Sequence, residues 1–386
     1  MKKLRIIVLG YLIRGPIGGM AWHHLQYVLG LHALGHDVHF AEDSDDYPSC
    51  YDPSRGVVDC DPTYGLQFCD ETFKRLELPD RWTYYDAHLG QWHGPAADRA
   101  LQVFSAADMI LNLSGVNPLR SWAESIPLRV LVDTDPLFTQ VRHLTDPAAR
   151  NRASQHNTFF TFGENIPAGL STVPDDGFVW QATRQPIALD HWPVTQGPVA
   201  GKFTSVMQWD SYPAIEYAGQ HYGMKSRSFD AFFDLPQRTS AKMELALGSS
   251  SAPRERLLAS GWLLRDPLEV TRDPWTYQAY LQQSKSEFGI AKHGYVASRC
   301  GWFSERSAAY LASARPCLLQ DTHFSAHIPA GDGVVAFNSL EEAIAGIADI
   351  EQRYALHCRA ARAIAAEFFD GKRVLSNLLD RAAFVG

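Results

Sequence analysis

One sequence feature limits the possible folds of this chain more than any other. It is a predicted strand that is apolar along its whole length and is followed by a glycine-bearing loop. Residues 4–12 form such a run, LRIIVLGYL, and the loop RGPIGG follows at 14–19. An unbroken apolar run is typical of a strand that is buried on both faces, as in a parallel sheet. Residues 20–35 then have the apolar spacing of a helix, and residues 36–43 have the composition of a second strand. This order predicts the beginning of a doubly wound sheet.

The same alternation of strands and helices returns in the second half of the chain, after a proline-rich passage at 185–202 that we interpret as a linker. A chain of 386 residues is also longer than one hydrophobic core usually serves. We therefore predict an α/β protein with two Rossmann-like doubly wound parallel-sheet domains that face each other across a cleft. The predicted domains are residues 1–190 and 191–360, and the helices of residues 361–386 are predicted to return to the first domain.

Charge and cysteine content narrow the classes of partner. The formal net charge is −8, which makes the chain a poor general binder of nucleic acid or of an anionic membrane. No stretch approaches the roughly 20 apolar residues of a membrane span, and the first apolar run is too short and too close to Arg14 for a signal peptide. The six cysteines form no C-x-x-C pair. We expect a cytoplasmic protein without a metal cluster, and the sequence does not indicate its oligomeric state.

The beginning of a short predicted helix at Ser304 is the first candidate binding element. Ser304 is a residue type that caps helices, and Glu305, Arg306 and Ser307 occupy the first turn. The free N–H groups and the dipole of such a turn attract an anion, and Arg306 can add a charge-assisted hydrogen bond to a phosphate oxygen. The alternative is that Ser304 only caps its own helix and that Arg306 is solvated.

Two segments resemble the donor-binding region of GT-B glycosyltransferases. They are RCGWFS at 299–304 and YLASARPCLLQD at 310–321. Gly18 and Gly19 also fall where many of these enzymes carry a Gly-Gly pair that lets the backbone approach the donor. The resemblance covers nearly the whole chain as architecture. It implies the transfer of a sugar from a nucleotide-diphosphate sugar to a hydroxyl group of a small-molecule or glycan acceptor, without a metal and without a cofactor other than the nucleotide sugar.

The chain departs from the family pattern at positions that often carry the chemistry. Retaining members frequently have a Glu-x7-Glu pair, and the corresponding positions here are Gly301 and Ala309, with Glu305 out of register. Inverting members frequently have a His or Asp after the loop of the first strand, where this chain has Met20. A small-residue turn that usually ends in glycine has Ala314 instead. The resemblance therefore leaves the sugar, the nucleotide, the acceptor and the stereochemistry open.

Two groups are candidates for the base that takes a proton from the acceptor. His24 and its neighbour His23 lie in the first turns of the helix at 20–34, beside the predicted cleft, and histidine titrates near neutral pH. Asp133 and Asp135 end the predicted strand RVLVDTD at an edge that faces the predicted cleft, where either can act as the base or orient the acceptor. The alternatives are a packed histidine and a structural turn before Pro136. The DTD letters at 133–135 lie in the first half, away from the predicted donor, so we predict no metal site there.

Further donor contacts are predicted on the second domain. Lys225 and Arg227 are candidates for the diphosphate, Lys292 for the surroundings of the nucleotide base, and Gln320 and Asp321 for sugar hydroxyls. The alternative for the two diphosphate candidates is solvation at the surface, because isolated Lys and Arg residues are mostly exposed. Asp321 is also a common turn residue.

The acceptor is predicted to meet aromatic and histidine side chains of the first domain. Trp92 and His93 lie in an aromatic segment at 81–94, and His23 precedes His24 on the first helix. Aromatic faces stack on sugars and flat aglycones. The alternative for the aromatic segment is a small core beneath a long loop.

Two other functions fit the same resemblance. A nucleotide-sugar 2-epimerase of this fold would form an epimer of its substrate without any acceptor. A catalytically degenerate module would bind a nucleotide sugar and neither hydrolyse nor transfer it, which is consistent with the missing Glu pair and with Met20.

Overall fold

Two parallel sheets, one in each half of the chain, carry the architecture of the computed structural model, which describes residues 3–383. The strands are β1 (Arg5–Leu9), β2 (Asp37–Asp43), β3 (Cys50–Asp52), β4 (Val57–Asp59), β5 (Trp82–Asp86), β6 (Gln91–His93), β7 (Met109–Leu113), β8 (Leu128–Asp133), β9 (Thr158–Thr161), β10 (Trp180–Ala182), β11 (Phe203–Gln208), β12 (Ile215–Tyr217), β13 (Gln220–Tyr222), β14 (Met243–Gly248), β15 (Leu263–Arg265), β16 (Ser286–Gly289), β17 (Cys317–Gln320) and β18 (Val334–Phe337).

The helices follow or precede these strands along the chain. They are α1 (Gly18–Ala33), α2 (Thr63–Arg75), α3 (Ala100–Ser105), α4 (Phe138–Thr145), α5 (Pro147–Ser154), α6 (Lys225–Phe229), α7 (Arg254–Ala259), α8 (Pro267–Thr271), α9 (Pro274–Gln283), α10 (His293–Ser298), α11 (Glu305–Ala312), α12 (Leu340–Gln352), α13 (Tyr354–Phe368) and α14 (Gly371–Ala383).

The strand order of each sheet reverses at its first strand. The first sheet has the order β10-β9-β8-β7-β1-β2-β5-β6, with β6 antiparallel at one edge. The second sheet has the order β15-β14-β11-β16-β17-β18, and its neighbours all pair in parallel. A reversal of this kind opens a crevice outside the carboxyl ends of the strands. The predicted fold class, two doubly wound parallel sheets, is confirmed.

The central strands form because their residues are apolar on both faces. β7 and β14 are buried at every position, and β1 is buried after its first residue.

Some predicted boundaries of the helices were wrong. The first helix begins at Gly18 rather than at residue 20. Near the end of the chain, α12 and α13 are separated at Arg353. Arg353 leaves the helical backbone conformation, and its guanidinium binds the Asp349 carboxylate and, at 2.7 Å, that of Asp332.

The end of the described chain lies on the first sheet. α14 packs against α1, and Gly30 of α1 leaves room for Leu375, whose Cδ1 would lie 2.5 Å from a Cβ at position 30. Residues 1–2 and 384–386, at the ends of the predicted domains, lie outside the described residues. Within residues 3–383, no helix has both the length and the apolar character that crossing a membrane requires.

The passage between the two sheets is held by a buried arginine. Arg315 is fully buried, and its guanidinium donates to the carbonyl oxygens of Thr195, Gln196 and Gln282 at 2.6–3.2 Å. The bonds to Thr195 and Gln196 satisfy main-chain acceptors of a segment without regular structure, which a buried loop needs, and the bond to Gln282 ties the arginine to the end of α9. The passage is thereby fixed against the second sheet.

Candidate functional site

A cleft of about 710 Å³ lies where the carboxyl ends of the two sheets meet. Ser114 and Asp135 follow β7 and β8 of the first sheet, and Lys292 follows β16 of the second. The second sheet also lines the cleft with residues 206–208, 247–250 and 266–268, at or after the ends of β11, β14 and β15. Both topological crevices therefore open into one cavity, as the fold predicts for a ligand site.

Four cationic side chains from the second half line this cleft: Lys225, Arg254, Lys292 and Arg306. Lys225 is half-buried and has no hydrogen bond or ion pair with any residue in the described part of the chain. Burial, together with the charges of Arg306 and Lys292, lowers the pKa of Lys225 to about 7. A cation held near like charges is stabilised by an anion. The cleft therefore has the electrostatic character of an anion site.

The guanidinium of Arg306 is fixed by two contacts behind the cleft. Its Nε donates to Oε1 of the buried Glu287 at 2.6 Å, and its Nη1 donates to the carbonyl oxygen of Val206 at 2.9 Å. Nη2 has no hydrogen bond within residues 3–383. A guanidinium anchored on one edge presents the remaining nitrogen in a fixed direction, which favours the recognition of a planar or tetrahedral oxyanion.

The helix start predicted as a phosphate site has its cap in place. The Oγ atom of Ser304 accepts the N–H of Arg306 at 3.2 Å, and Ser304, Glu305 and Arg306 all line the cleft. Ser307 does not line it. Its Oγ is buried without a hydrogen-bond partner in the described chain, beside a small cavity next to β16 and β17. The helix therefore presents its first residues, and not Ser307, to a ligand.

Asp135 lies in the cleft and is surrounded by donors of the other half. Lys292 Nζ is 2.8 Å from its Oδ1, and the hydroxyls of Tyr212 and Tyr295 donate to its two oxygens. Burial, with the nearby Asp135 charge, raises the pKa of both tyrosines above the usual range. These three contacts occupy both carboxylate oxygens of Asp135. The geometry favours a bridge between the halves over the predicted role as base.

The predicted base His24 is turned away from the cleft. It is 1% exposed, its Nδ1 lies 2.9 Å from the carbonyl oxygen of Met20, and its ring packs beside Gly10. Burial holds its pKa well below the usual range. His23 lines the cleft instead, with a pKa lowered by burial and raised in part by the Glu305 carboxylate. The physical reason is that one residue along a helix turns the side chain by about 100°.

The aromatic segment predicted to receive the acceptor is a small core. Trp92 lies on the edge strand β6 and packs on Tyr85, Trp122 and Phe104, with ring centroids 5.0, 5.3 and 5.7 Å away. His93 is the next residue of the same strand, beside Tyr84. Neither residue lines the cleft. The alternative interpretation, a core beneath a loop, describes these residues, because aromatic rings on neighbouring strands bury one another.

The two glycines predicted to approach the donor lie where α1 meets α9. A Cβ at Gly18 would lie 2.2 Å from the carbonyl oxygen of Asp273, while a Cβ at Gly19 would lie 3.1 Å from the ring of Tyr277. Gly19 lines the cleft and Gly18 does not. The absence of a side chain at Gly18 is therefore required by contact between the two halves of the chain.

The remaining predicted donor residues lie outside the cleft. Arg227 is exposed and faces a separate surface pocket beside the β12–β13 hairpin. Gln320 Oε1 accepts the Ala291 N–H at 3.2 Å, and the Asp321 carboxylate accepts the Ser325 hydroxyl at 2.6 Å. Gln320 and Asp321 thus serve the main chain and a turn.

Glu305 and Trp302 are cleft residues that sequence reasoning did not single out for function. Glu305 lies one helical turn before Ala309, so both occupy the same face of α11. Position 309 is where the family resemblance leads us to expect a Glu. The i,i+4 spacing of Glu305 from that position was the sequence feature that could have identified Glu305 as a cleft residue. Trp302 stacks on Tyr295 at 4.6 Å and donates its Nε1–H to the carbonyl oxygen of Thr134 at 3.2 Å. Trp302 lies within the RCGWFS segment that carries the resemblance, but its contact with Thr134 could not be predicted, because Thr134 lies in the other half.

Comparisons with known proteins gave matches among solved structures. No protein-family model matches the chain, and no curated protein sequence matches it. An alpha-glucosyltransferase in complex with UDP and a 13-mer DNA superposes with a TM-score of 0.58 at 10% identity, over 99% of this chain and 100% of that chain. AviGT4, a glycosyltransferase involved in avilamycin A biosynthesis, superposes with a TM-score of 0.56 at 12% identity, over 98% and 97%.

A third solved structure agrees with these two. HepE of Anabaena, in complex with UDP and glucose, superposes with a TM-score of 0.55 at 10% identity, over 98% of this chain and 99% of that chain. Identities at this level show that the fold is shared over the full length of the chain. They do not transfer substrates or site residues from one protein to another.

Proposed function

Because the chain has the GT-B fold of these glycosyltransferases, we propose that it transfers a sugar from a nucleotide-diphosphate sugar to a hydroxyl group of a small-molecule or glycan acceptor. The single observation that carries the proposal is Lys225, a cleft cation without a partner in residues 3–383, beside Arg306 and Lys292. Lys292 is paired with Asp135, so Lys225 and the free edge of the Arg306 guanidinium are the groups that balance the diphosphate charge in place of a metal ion. The nucleotide sugar is then the only co-substrate that the reaction needs.

The diphosphate is assigned to the side of the cleft formed by α6 and α11. Lys225 begins α6, and Arg306 lies in the first turn of α11 with Nη2 available. In glycosyl transfer the bond between the anomeric carbon and the phosphate oxygen breaks, and the leaving diphosphate takes the electron pair. Cationic groups already in position stabilise that developing charge more than the ground state, which lowers the barrier.

The nucleoside is assigned to the other end of the same cleft. Leu247, near the end of β14, and Pro267 and Leu268, shortly after β15, provide an apolar wall there. Apolar walls with a few polar groups are typical of the pockets that hold planar ligands. The alpha-glucosyltransferase and HepE structures both contain UDP. This supports UDP as the first nucleotide to test.

The acceptor is assigned to the first half of the chain, where Ile17, Met20 and Tyr51 line the cleft. His23 lies on the same helix as Met20 and has a lowered pKa, so its imidazole is neutral near pH 7. As the acceptor oxygen bonds to the anomeric carbon, its proton passes to an imidazole nitrogen of His23. Glu305, on the opposite side, then stabilises the imidazolium.

Replacing Lys225 by Met tests whether this unpaired cleft cation binds the diphosphate. We expect the Kd for UDP, measured by isothermal titration calorimetry, to rise by about tenfold or more, because a hydrogen bond to a charged group contributes roughly 1.5–3 kcal/mol. The control is Lys242→Met, which removes an exposed lysine just before β14. Equal affinities of wild type and Lys225→Met would contradict the proposal.

The pH dependence of UDP binding provides a second prediction. Lys225 has a pKa lowered to about 7 in the unliganded protein, and only its protonated form attracts a diphosphate. Above that pH the ligand must bind together with a proton, so the affinity falls by up to about tenfold per pH unit. We expect this loss in wild type between about pH 7.5 and pH 9, and not in Lys225→Met. A wild-type affinity that is constant over this range would show that Lys225 does not titrate at the site.

Measurements of turnover distinguish glycosyl transfer from the two other functions, epimerisation of the nucleotide sugar and binding without reaction. A panel of nucleotide-diphosphate sugars is incubated with and without sugar acceptors, and the release of the nucleoside diphosphate is measured. Release that depends on an acceptor supports transfer. Formation of an epimer from the donor alone would identify an epimerase, and tight binding without any product would identify a binding module.

A further inference from the structure

A second pocket with an unusual charge lies at the end of the first sheet opposite the cleft. It encloses about 210 Å³ between the amino-terminal ends of β1 and β2 and the helix α3. Arg5 opens β1 and pairs in register with Asp37, which opens β2. His39 lies two residues farther along β2, on the same face as Asp37 because strand side chains alternate. Arg81, Arg99 and Gln102 complete the polar lining.

The arginines of this pocket carry more charge than the acidic groups around them neutralise. Arg81 donates to the carboxylate of Asp37, and Arg5 Nε lies 3.5 Å from Asp108. Arg99 donates from Nη2 to the main-chain carbonyl oxygen of Asp80 at 3.0 Å, and no carboxylate within residues 3–383 pairs with it. The chain has a net charge of −8. An excess of positive charge in one pocket therefore does not follow from the overall charge that keeps the protein soluble.

A buried imidazole forms the floor of the pocket. His39 is 5% exposed, and its Nε2 lies 3.2 Å from the hydroxyl oxygen of Thr83. Its Nδ1 has no hydrogen bond within the described chain, although the ring lines the cavity. Burial lowers the pKa of His39 to about 3, and the charges of Arg99 and Arg81 contribute. When Nε2 accepts the Thr83 hydroxyl proton, Nδ1 carries hydrogen and donates into the cavity.

We propose that this pocket binds a phosphate-class oxyanion, either inorganic phosphate or the phosphate of a small monoester. Arg99 supplies the unpaired charge, Arg81 adds a second guanidinium, and His39 donates from Nδ1 at the floor. Guanidinium groups match the geometry of tetrahedral oxyanions better than other cations do. The site is independent of glycosyl transfer, because it lies at the other end of the strands that carry the cleft.

Thermal unfolding in the presence of anions tests this proposal. The melting temperature is measured while sodium phosphate or glycerol phosphate replaces sodium chloride at constant ionic strength. We expect wild type to be stabilised progressively by at least one of the two, since a ligand that binds the folded state raises its stability by mass action. The anion that stabilises at the lower concentration identifies the source of the phosphate group.

Three variants test whether the stabilisation by phosphate arises in the pocket between β1, β2 and α3. Arg99→Met should raise the apparent Kd for the anion by about tenfold or more, because it removes a charged hydrogen-bond donor. Arg359→Met, which removes an exposed arginine of α13, and Lys225→Met, which removes a cleft cation, should both retain the response. The proposal is overturned if wild type does not respond, if Arg99→Met responds like wild type, or if the response is lost in Lys225→Met.

Discussion

Replacing His23 by Asn is expected to lower kcat by about 100-fold or more, which is the usual contribution of a positioned general base. The affinity for UDP should stay within about twofold of wild type, because His23 lies on the first half of the chain and Lys225 and Arg306 on the second. The measurement is steady-state release of UDP from the donor on which the enzyme turns over, combined with calorimetric UDP binding.

His32→Asn is the matched control, because His32 lies on the same helix and is exposed. Substitution of His24 separates the two neighbouring histidines. We expect His24→Asn to lower stability rather than kcat, because its ring is buried against Gly10 and does not reach the cleft. A variant His24→Asn that keeps its melting temperature and loses turnover, with His23→Asn fully active, would reverse the assignment.

Replacing Glu42 by Ala is expected to destabilise the protein by about 3–5 kcal/mol, the usual cost of removing one partner of a buried ion pair. Its fully buried carboxylate accepts the N–H groups of Leu12, Ile13 and Arg14 at 2.6–2.8 Å, and the Arg14 Nε at 3.3 Å. The substitution leaves three main-chain donors and a guanidinium without their acceptor, in a region that water does not reach.

Urea unfolding followed by tryptophan fluorescence measures this loss, and the midpoint should fall without a change in slope. Glu124→Ala, at an exposed position of the same half, should change the free energy of unfolding by less than about 0.5 kcal/mol. Glu42 also fixes the loop between β1 and α1, which brings Ile17 to the cleft. A change below about 1 kcal/mol for Glu42→Ala would show that the loop is held by other contacts.

The fold was predictable because its signals are local. Apolar runs such as residues 4–12, followed by a glycine-bearing loop and a helix, are found as β1 and α1, and the same pattern marks the second sheet. The boundaries were less predictable. The first helix begins two residues before the predicted start, at Gly18, where no side chain caps it and where the main chain lies close to Asp273 of the other half.

The site was predictable only where one segment carries the whole signal. The start of α11 was identified because its cap, its charge and its position along the chain are adjacent residues. Asp135 was identified as a cleft residue, but its role depends on donors that are 77, 157 and 160 residues away in the sequence. Its alternatives as base or turn residue could not include this bridge, because no periodicity reports such distant contacts.

The position of Lys225 also could not be predicted from its own segment of the sequence. Its sequence surroundings, GMKSRSF, made solvation the simpler interpretation for both Lys225 and Arg227. The structure leaves Arg227 exposed and brings Lys225 to the cleft beside Arg306 and Lys292. The absence of a carboxylate partner within residues 3–383 follows from the packing of three separate segments, and that information is not contained in any one of them.

A structure of the protein with UDP bound is the most direct test of the claim that the cleft cations hold a nucleoside diphosphate. We expect oxygens of the diphosphate at hydrogen-bonding distance, about 2.7–3.2 Å, from Lys225 Nζ and from Arg306 or the first amides of α11. The uracil ring should lie against Leu247, Pro267 and Leu268. Saturating UDP that leaves this cleft empty, or that binds with its phosphates away from Lys225 and Arg306, would contradict the account.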